Sequence, residues 1–208
     1  SSFLLIISLV LVQTNSYGLP MIDFADSAFS IVNGQSSEMV ENVYGDLDLT
    51  FIATNGELTY NPGPYGGIDG IGINDDEISL FQVLRIELSY DLALSSLYLT
   101  DLFYEGHPRY QEEGQYRLLS GGSWSTWTSF MASTDKNPYP ASNGEYIIGL
   151  DPSIAISALE FQTIQPTRND YSVRGIDVAP VPEPATLLLL GFGLIGLAGF
   201  RRRKLKMK

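Results

Sequence analysis

Leu84-Arg85-Ile86-Glu87-Leu88-Ser89-Tyr90 is the stretch on which the fold turns. Apolar and polar side chains alternate through it without a break. A period of two puts the leucines and isoleucine on one face of an extended strand and the charges on the other. Leu47-Asp48-Leu49-Thr50-Phe51 carries the same pattern upstream, and Leu97-Tyr98-Leu99-Thr100 and Ile154-Ala155-Ile156 continue it downstream. Tyr171-Ser172-Val173 and Ile176-Asp177-Val178 read as a last strand with a bulge at Gly175. Shorter strands fit residues 22–24, 116–119, 126–130 and 146–150. Between them stand turn-forming clusters: Asn55-Gly56, Asn61-Pro62-Gly63-Pro64, Gly66-Gly67, Asn137-Pro138 and Asn143-Gly144. Asn55-Gly56, flanked by strand-like runs, reads as a hairpin turn. About ten short strands separated this way predict a mainly β fold, a single antiparallel two-sheet sandwich of jelly-roll type. It would occupy residues 19–180, long enough to bury a core without disulfides.

Composition narrows the function. The 208 residues include 12 Lys and Arg, 24 Asp and Glu, one His and no Cys, for a formal charge of −12. Without cysteine there is no disulfide, thiolate zinc site or Cys nucleophile. The acidic balance argues against nucleic acid as a partner, since a phosphate backbone needs a basic face. The charge is also unevenly placed. Residues 19–181 hold 23 acids against six bases, a net of −17, while six of the last eight residues are Arg or Lys.

Both ends are apolar. Residues 3–12 form a ten-residue apolar run broken only by Ser8, with small residues at Ser16 and Gly18 beyond it. This is too short to span a bilayer and fits the core of a secretory signal over residues 1–18. Ser1 stands where a Met and a basic leader are expected, so the signal reads as N-terminally truncated. Residues 185–200, opening on Ala185 and closing on Phe200, carry no charge and one polar side chain, Thr186. As a helix they would span roughly 24 Å, enough for a membrane segment with snorkelling ends. Arg201, Arg202, Arg203 and Lys204 follow, the basic stop that marks a cytoplasmic side. The acidic body then lies outside the cytoplasm, as a signal at the other end also requires.

Val181-Pro182-Glu183-Pro184, the apolar stretch and the Arg cluster follow one another in a fixed order. Together, residues 181–208 resemble the PEP-CTERM sorting tail of bacterial exported proteins. The resemblance implies an exported protein of a Gram-negative bacterium that makes exopolysaccharide or biofilm. It further implies exosortase as a partner, a membrane-embedded enzyme that recognises the tail and processes it near the motif, leaving the body at the cell surface or outside. Membrane contact through residues 185–200 would precede processing. The motif has its own physics: Pro182 and Pro184 favour an extended segment, which a processing enzyme needs. Residues 70–104 also resemble bodies found ahead of such tails, without implying an activity. The tail is an address, and the body reads as non-enzymatic.

Three constellations in the body bear on chemistry. Asp69, Asn74, Asp75, Asp76 and Glu77 form the densest oxygen cluster, suited in donor type to calcium, although the spacing fails the helix–loop–helix calcium pattern. No other cofactor is expected. Trp124 and Trp127 lead a set of aromatic residues that could stack on sugar rings, making a carbohydrate-binding module the alternative and exopolysaccharide the ligand class. In a strand, their spacing of three would send them to opposite faces. Carboxylate pairs such as Glu112-Glu113, or Glu87 with Asp91, could serve glycan hydrolysis, a weaker alternative that depends on their separation. No catalytic residue is assigned. His107 lies in a loop-like stretch, and Ser133-Thr134-Asp135-Lys136 lacks the companion motifs of penicillin-recognising enzymes.

Overall fold

The computed structural model describes residues 21–61, 69–75, 77–104, 111–132, 134–135, 144–163 and 171–179. Strands make up 64% of these, so the chain is mainly β, as the alternation predicts. They are β1 (Met21–Asp23), β2 (Ser37–Tyr44), β3 (Leu47–Thr54), β4 (Leu58–Asn61), β5 (Gly70–Ile73) and β6 (Val83–Thr100). There follow β7 (Phe103–Tyr104), β8 (Glu113–Ser120), β9 (Ser123–Trp124), β10 (Thr128–Met131), β11 (Thr134–Asp135), β12 (Tyr146–Gly149), β13 (Ala155–Thr163) and β14 (Ser172–Val178). A 3-10 turn at Ser27–Val32 is capped by Asp26, whose side chain accepts from the Ala28 N–H, and it buries Phe29 and Val32.

Rather than two separate sheets, twelve strands form one hydrogen-bonded antiparallel sheet, with β7 and β11 pairing apart from it in parallel. The reason is β6, whose 18 residues serve two sets of neighbours. Its first half pairs with β3 and β13, and β13 continues to β8 and β10. Its second half pairs with β12 and β14, and β14 continues to β5 and β1. The two halves are out of phase. Leu84, Ile86 and Leu88 face the core from even positions, whereas Leu97 and Leu99 do so from odd ones. Register slips absorb the difference. Ile156 pairs with Leu92 but Ala158 with Glu87, and Val178 pairs with Leu94 but Asp177 with Ser96. Bulges of this kind bend a strand and let it change sheets. The expected bulge near Gly175 is present, where β14 slips against β6 between Val173 and Gly175.

One core serves both sets of strands. Phe51 of β3 meets Phe24, which follows β1, at 5.1 Å and Phe29 at 5.7 Å, both edge-on. Phe130 of β10 stacks on Tyr146 of β12 and meets Tyr171 edge-on at 5.1 Å. Asn55-Gly56 turns the chain, with Asn55 at φ 64°, but makes no hairpin. β3 pairs with β2 and β6, and β4 pairs with β5, so the turn carries the chain from one set of strands to the other. The tight hairpins lie instead at Gly45-Asp46, between β2 and β3, and at Gly121-Gly122, between β8 and β9. Both glycines of the second have positive φ, the geometry of a two-residue hairpin turn. Among the described residues no helix is long and apolar enough to cross a membrane. The expected signal and the apolar segment at 185–200 lie outside the described residues.

Candidate functional site: an arginine–tryptophan platform

The strands that bury Leu84, Ile86, Leu159 and Phe161 turn their alternate residues outward. Register aligns four of these in one row: Ile52 of β3, Arg85 of β6, Glu160 of β13 and Arg117 of β8. Glu160 is only 4% exposed, and its two oxygens are divided between the arginines. Oε1 accepts from Arg85 Nε at 2.7 Å and Nη2 at 2.5 Å. Oε2 accepts from Arg117 Nε at 2.6 Å and Nη2 at 2.5 Å. Two fork-like charge-assisted pairs thus meet on one carboxylate, which offsets the cost of burying it. The hydrogen bond to Glu160 raises the Arg85 pKa above its ordinary value, against the opposing effect of burial.

The tryptophans close over this row. Trp124 pairs with Leu119 and so shares the outward side of β8. Ser125 is pinned to β8 at Leu118, its N–H donating to the Leu118 carbonyl and its Oγ accepting from the Leu118 N–H. The register then slips by one, because Thr128 pairs with Tyr116. That slip sets Trp127 opposite Arg117 and reverses its side. Both rings therefore lie against one guanidinium, Trp127 at 4.5 Å and Trp124 at 4.7 Å, and Arg85 approaches Trp124 at 5.4 Å. The expectation of opposite faces fails because the strand between the two tryptophans is not continuous.

In the next row Gln162 donates to Gln115, and Gln115 donates to Ser129. The result is a polar face with two half-buried indoles and side-chain amides, its arginines ion-paired to the buried Glu160. Both oxygens of Glu160 are committed to guanidinium groups, so the carboxylate ties β6 to β8 across β13. Of the three basic side chains among the described residues, this face holds two, in a body of net charge −17. The sequence reading missed Arg85, Glu160 and Arg117. The alternation did mark Arg85 as outward, but its partner lies 75 residues away.

The third arginine, Arg174 of β14, pairs with Asp23 at 3.3 Å and Glu145 at 3.4 Å. It lines a cavity of about 230 Å³ together with Met21, Tyr98, Leu99, Glu145 and Ile147. Nearby, the Tyr98 hydroxyl donates to Asp177 at 2.6 Å, a bond that raises the Tyr98 pKa.

The proposed calcium ligands are divided by β5. Asp69 precedes that strand and Asn74 follows it, so they stand roughly 17 Å apart, too far to share one ion. Asp69 accepts from the Asn61 amide. Asn74 accepts the Glu57 N–H and Asp75 the Glu77 N–H, as turn residues do. Asp76 lies outside the described residues, among which no group of three or more potential metal ligands occurs. Of the carboxylate pairs, Glu112 is buried and accepts the Phe103 N–H, while Glu87 salt-bridges to Arg85 on the platform.

Val181, Pro182, Glu183, Pro184 and the cluster Arg201, Arg202, Arg203 and Lys204 lie outside the described residues, and their assignment rests on sequence. Residues 180–204 match the family model of the PEP-CTERM protein-sorting motif. No curated protein and no solved structure matches the chain.

Proposed function

We propose that this PEP-CTERM-tailed chain is a non-enzymatic component of the cell surface or extracellular matrix, released or transferred there by exosortase and associated with exopolysaccharide. The motif at residues 180–204 carries the reading, because it implies an exported protein with a membrane-anchored intermediate. The acidic body before it and the cations after it agree in sidedness. A Gram-negative source and an N-terminal secretory signal belong to the same reading, and so does a jelly-roll-like packing of the two strand sets. Intact-mass measurement of the protein recovered from cell fractions and medium tests it. The expected form ends near residues 181–184, and a full-length form in the cytosol with both termini intact would sink the idea.

The platform favours a second, compatible reading, a carbohydrate-binding module. Trp124, Trp127, Gln115, Gln162 and Ser129 present rings and amides together, as pyranose recognition requires. An anionic glycan approaching a body of net −17 would meet two guanidinium groups here, both paired with Glu160, or would need calcium as a bridge. Binding to a polysaccharide panel, with and without chelator, separates these routes. Loss of binding in Trp127→Ala supports direct contact, loss with chelator supports bridging, and no binding to any member removes both.

A further inference from the structure

Beyond the platform, one aromatic ring is kept out of the core on a strained backbone. Phe81 is 78% exposed and sits at φ 65°. Left-handed backbone is disfavoured for every side chain with a Cβ and is a genuine outlier for a bulky one. The Gln82 N–H donates to the Ser79 carbonyl, which makes Phe81 the third residue of a β-turn, where positive φ suits glycine. Several bonds hold the turn in this form. The Ser79 N–H and hydroxyl both donate to Gln82 Oε1, and Asn55 Nδ2 donates to the Phe81 carbonyl at 2.6 Å. Strain maintained in this way, with the side chain left in water, points to a task for the ring other than folding.

The position of Phe81 along the chain indicates that task. β6 starts two residues later at Val83, which pairs with Thr54 and Gln162, and Gln162 pairs in turn with Gln115. Arg85, about 7 Å further along the strand, lies against Trp124. Along β6, the glutamine row therefore falls between Phe81 and the tryptophans. The charges in this region cancel: Arg85 and Arg117 face Glu160 and Glu87, two cations against two carboxylates. Glu113, two residues before Gln115 on β8, adds a further carboxylate beyond that row.

We propose that this side of β6 takes a neutral polysaccharide chain, with Trp124 and Trp127 contacting sugar rings at one end, Phe81 at the other, and Gln115 and Gln162 hydrogen-bonding hydroxyls between them. This rests on the carbohydrate-binding reading above and names its ligand class. An acidic glycan finds no net positive charge here and meets a body of net −17, whereas a neutral chain meets no such repulsion. Arg85 is four residues beyond Phe81, so the ligand must be several linked sugars to reach both ends.

The full chain, kept in a detergent without sugar headgroups, is titrated with neutral galactomannan, xyloglucan and dextran, anionic alginate and cationic chitosan. Binding is read from tryptophan emission excited beyond tyrosine absorption. At least one neutral polymer should bind, equally at low and high salt. Phe81→Gly relieves the turn and removes the ring, so it should raise the denaturation midpoint while weakening binding roughly fivefold, equivalent to about 1 kcal/mol. Binding confined to a charged polymer, or lost at high salt, overturns the ligand class and leaves a carbohydrate-binding module standing. So does unchanged affinity in Phe81→Gly, and a fall in both midpoint and affinity would make Phe81 a structural residue, which also overturns the proposal. Binding to no polymer overturns both.

Discussion

Replacing Glu160 by alanine is the sharpest perturbation of the platform. It removes the acceptor of both guanidinium forks and leaves Arg85 and Arg117 side by side without their shared counter-charge. Breaking a buried ion pair from one side costs about 3–5 kcal/mol, chiefly for the charge left behind. Here the stranded side chains are 39% and 28% exposed, so water recovers part of that loss. The lower end, about 3 kcal/mol, is expected, with roughly 1 kcal/mol more if Arg117 swings from under the indoles. For a body of this size the melting temperature should fall by roughly 10 °C. The assay is favourable because Trp124 and Trp127 are the chain's two tryptophans, so emission excited beyond tyrosine absorption reports this site. Urea unfolding followed by emission should show the lower midpoint and, before unfolding, a red-shifted native spectrum. Arg117→Ala combined with Glu160→Ala should cost less than the sum of the two single changes. A loss below about 1 kcal/mol with unchanged native emission would show that Glu160 does not hold the platform together.

Phe51→Ala removes the ring between Phe24 and Phe29 and should cost about 3–5 kcal/mol, read from the denaturation midpoint. Gly114→Ala would drive a methyl group into the rings of Phe130 and Tyr171, with an expected loss of about 1–3 kcal/mol; an unchanged melting curve would mean that those rings can shift freely. Tyr171, fully buried, has its pKa raised well above the usual value, and Tyr98 is raised by its bond to Asp177. A folded-state pKa above the unfolded one favours folding most strongly below the unfolded value, about 10, and this contribution is lost as pH rises through the folded value. Alkaline titration should therefore show delayed phenolate absorbance that appears together with unfolding, and independent titration of all tyrosines near pH 10 in a still-folded protein would contradict the burial.

Much of the sheet could be read from side-chain alternation, and the exceptions have physical causes. Leu84-Arg85-Ile86-Glu87-Leu88 and Leu97-Tyr98-Leu99-Thr100 read as two strands because their phases differ by one residue, and a phase change is also what a bulge produces within a single strand. β2 escaped notice because it pairs only with β3; of its eight residues only Val40 is buried, and two are glutamates, as suits an edge. Gly70-Ile71-Gly72-Ile73, which lies between Asp69 and Asn74 of the expected oxygen cluster, is a buried strand, and Gly70, at φ 120°, lets its backbone approach that of Val173 and Arg174. At the platform the tryptophans were visible, and the carboxylate that organises them was not. Leu159-Glu160-Phe161 gives no hint of cross-strand partners, which register alone supplies from 43 and 75 residues away.

The order in which strands leave the export channel has a bearing on the interior positions of β13 and β14. β13 lies between β6 and β8, and β14 between β6 and β5. Both come from the final quarter of the described body, yet each sits mid-sheet. A polypeptide threaded amino end first would wait with two open slots flanking β6, its earlier strands half-zipped and vulnerable to proteases and to pairing with other chains. Only when the stretch just ahead of the sorting signal has crossed can those slots fill, so completion of the fold and arrival of the anchor at the membrane become nearly the same event.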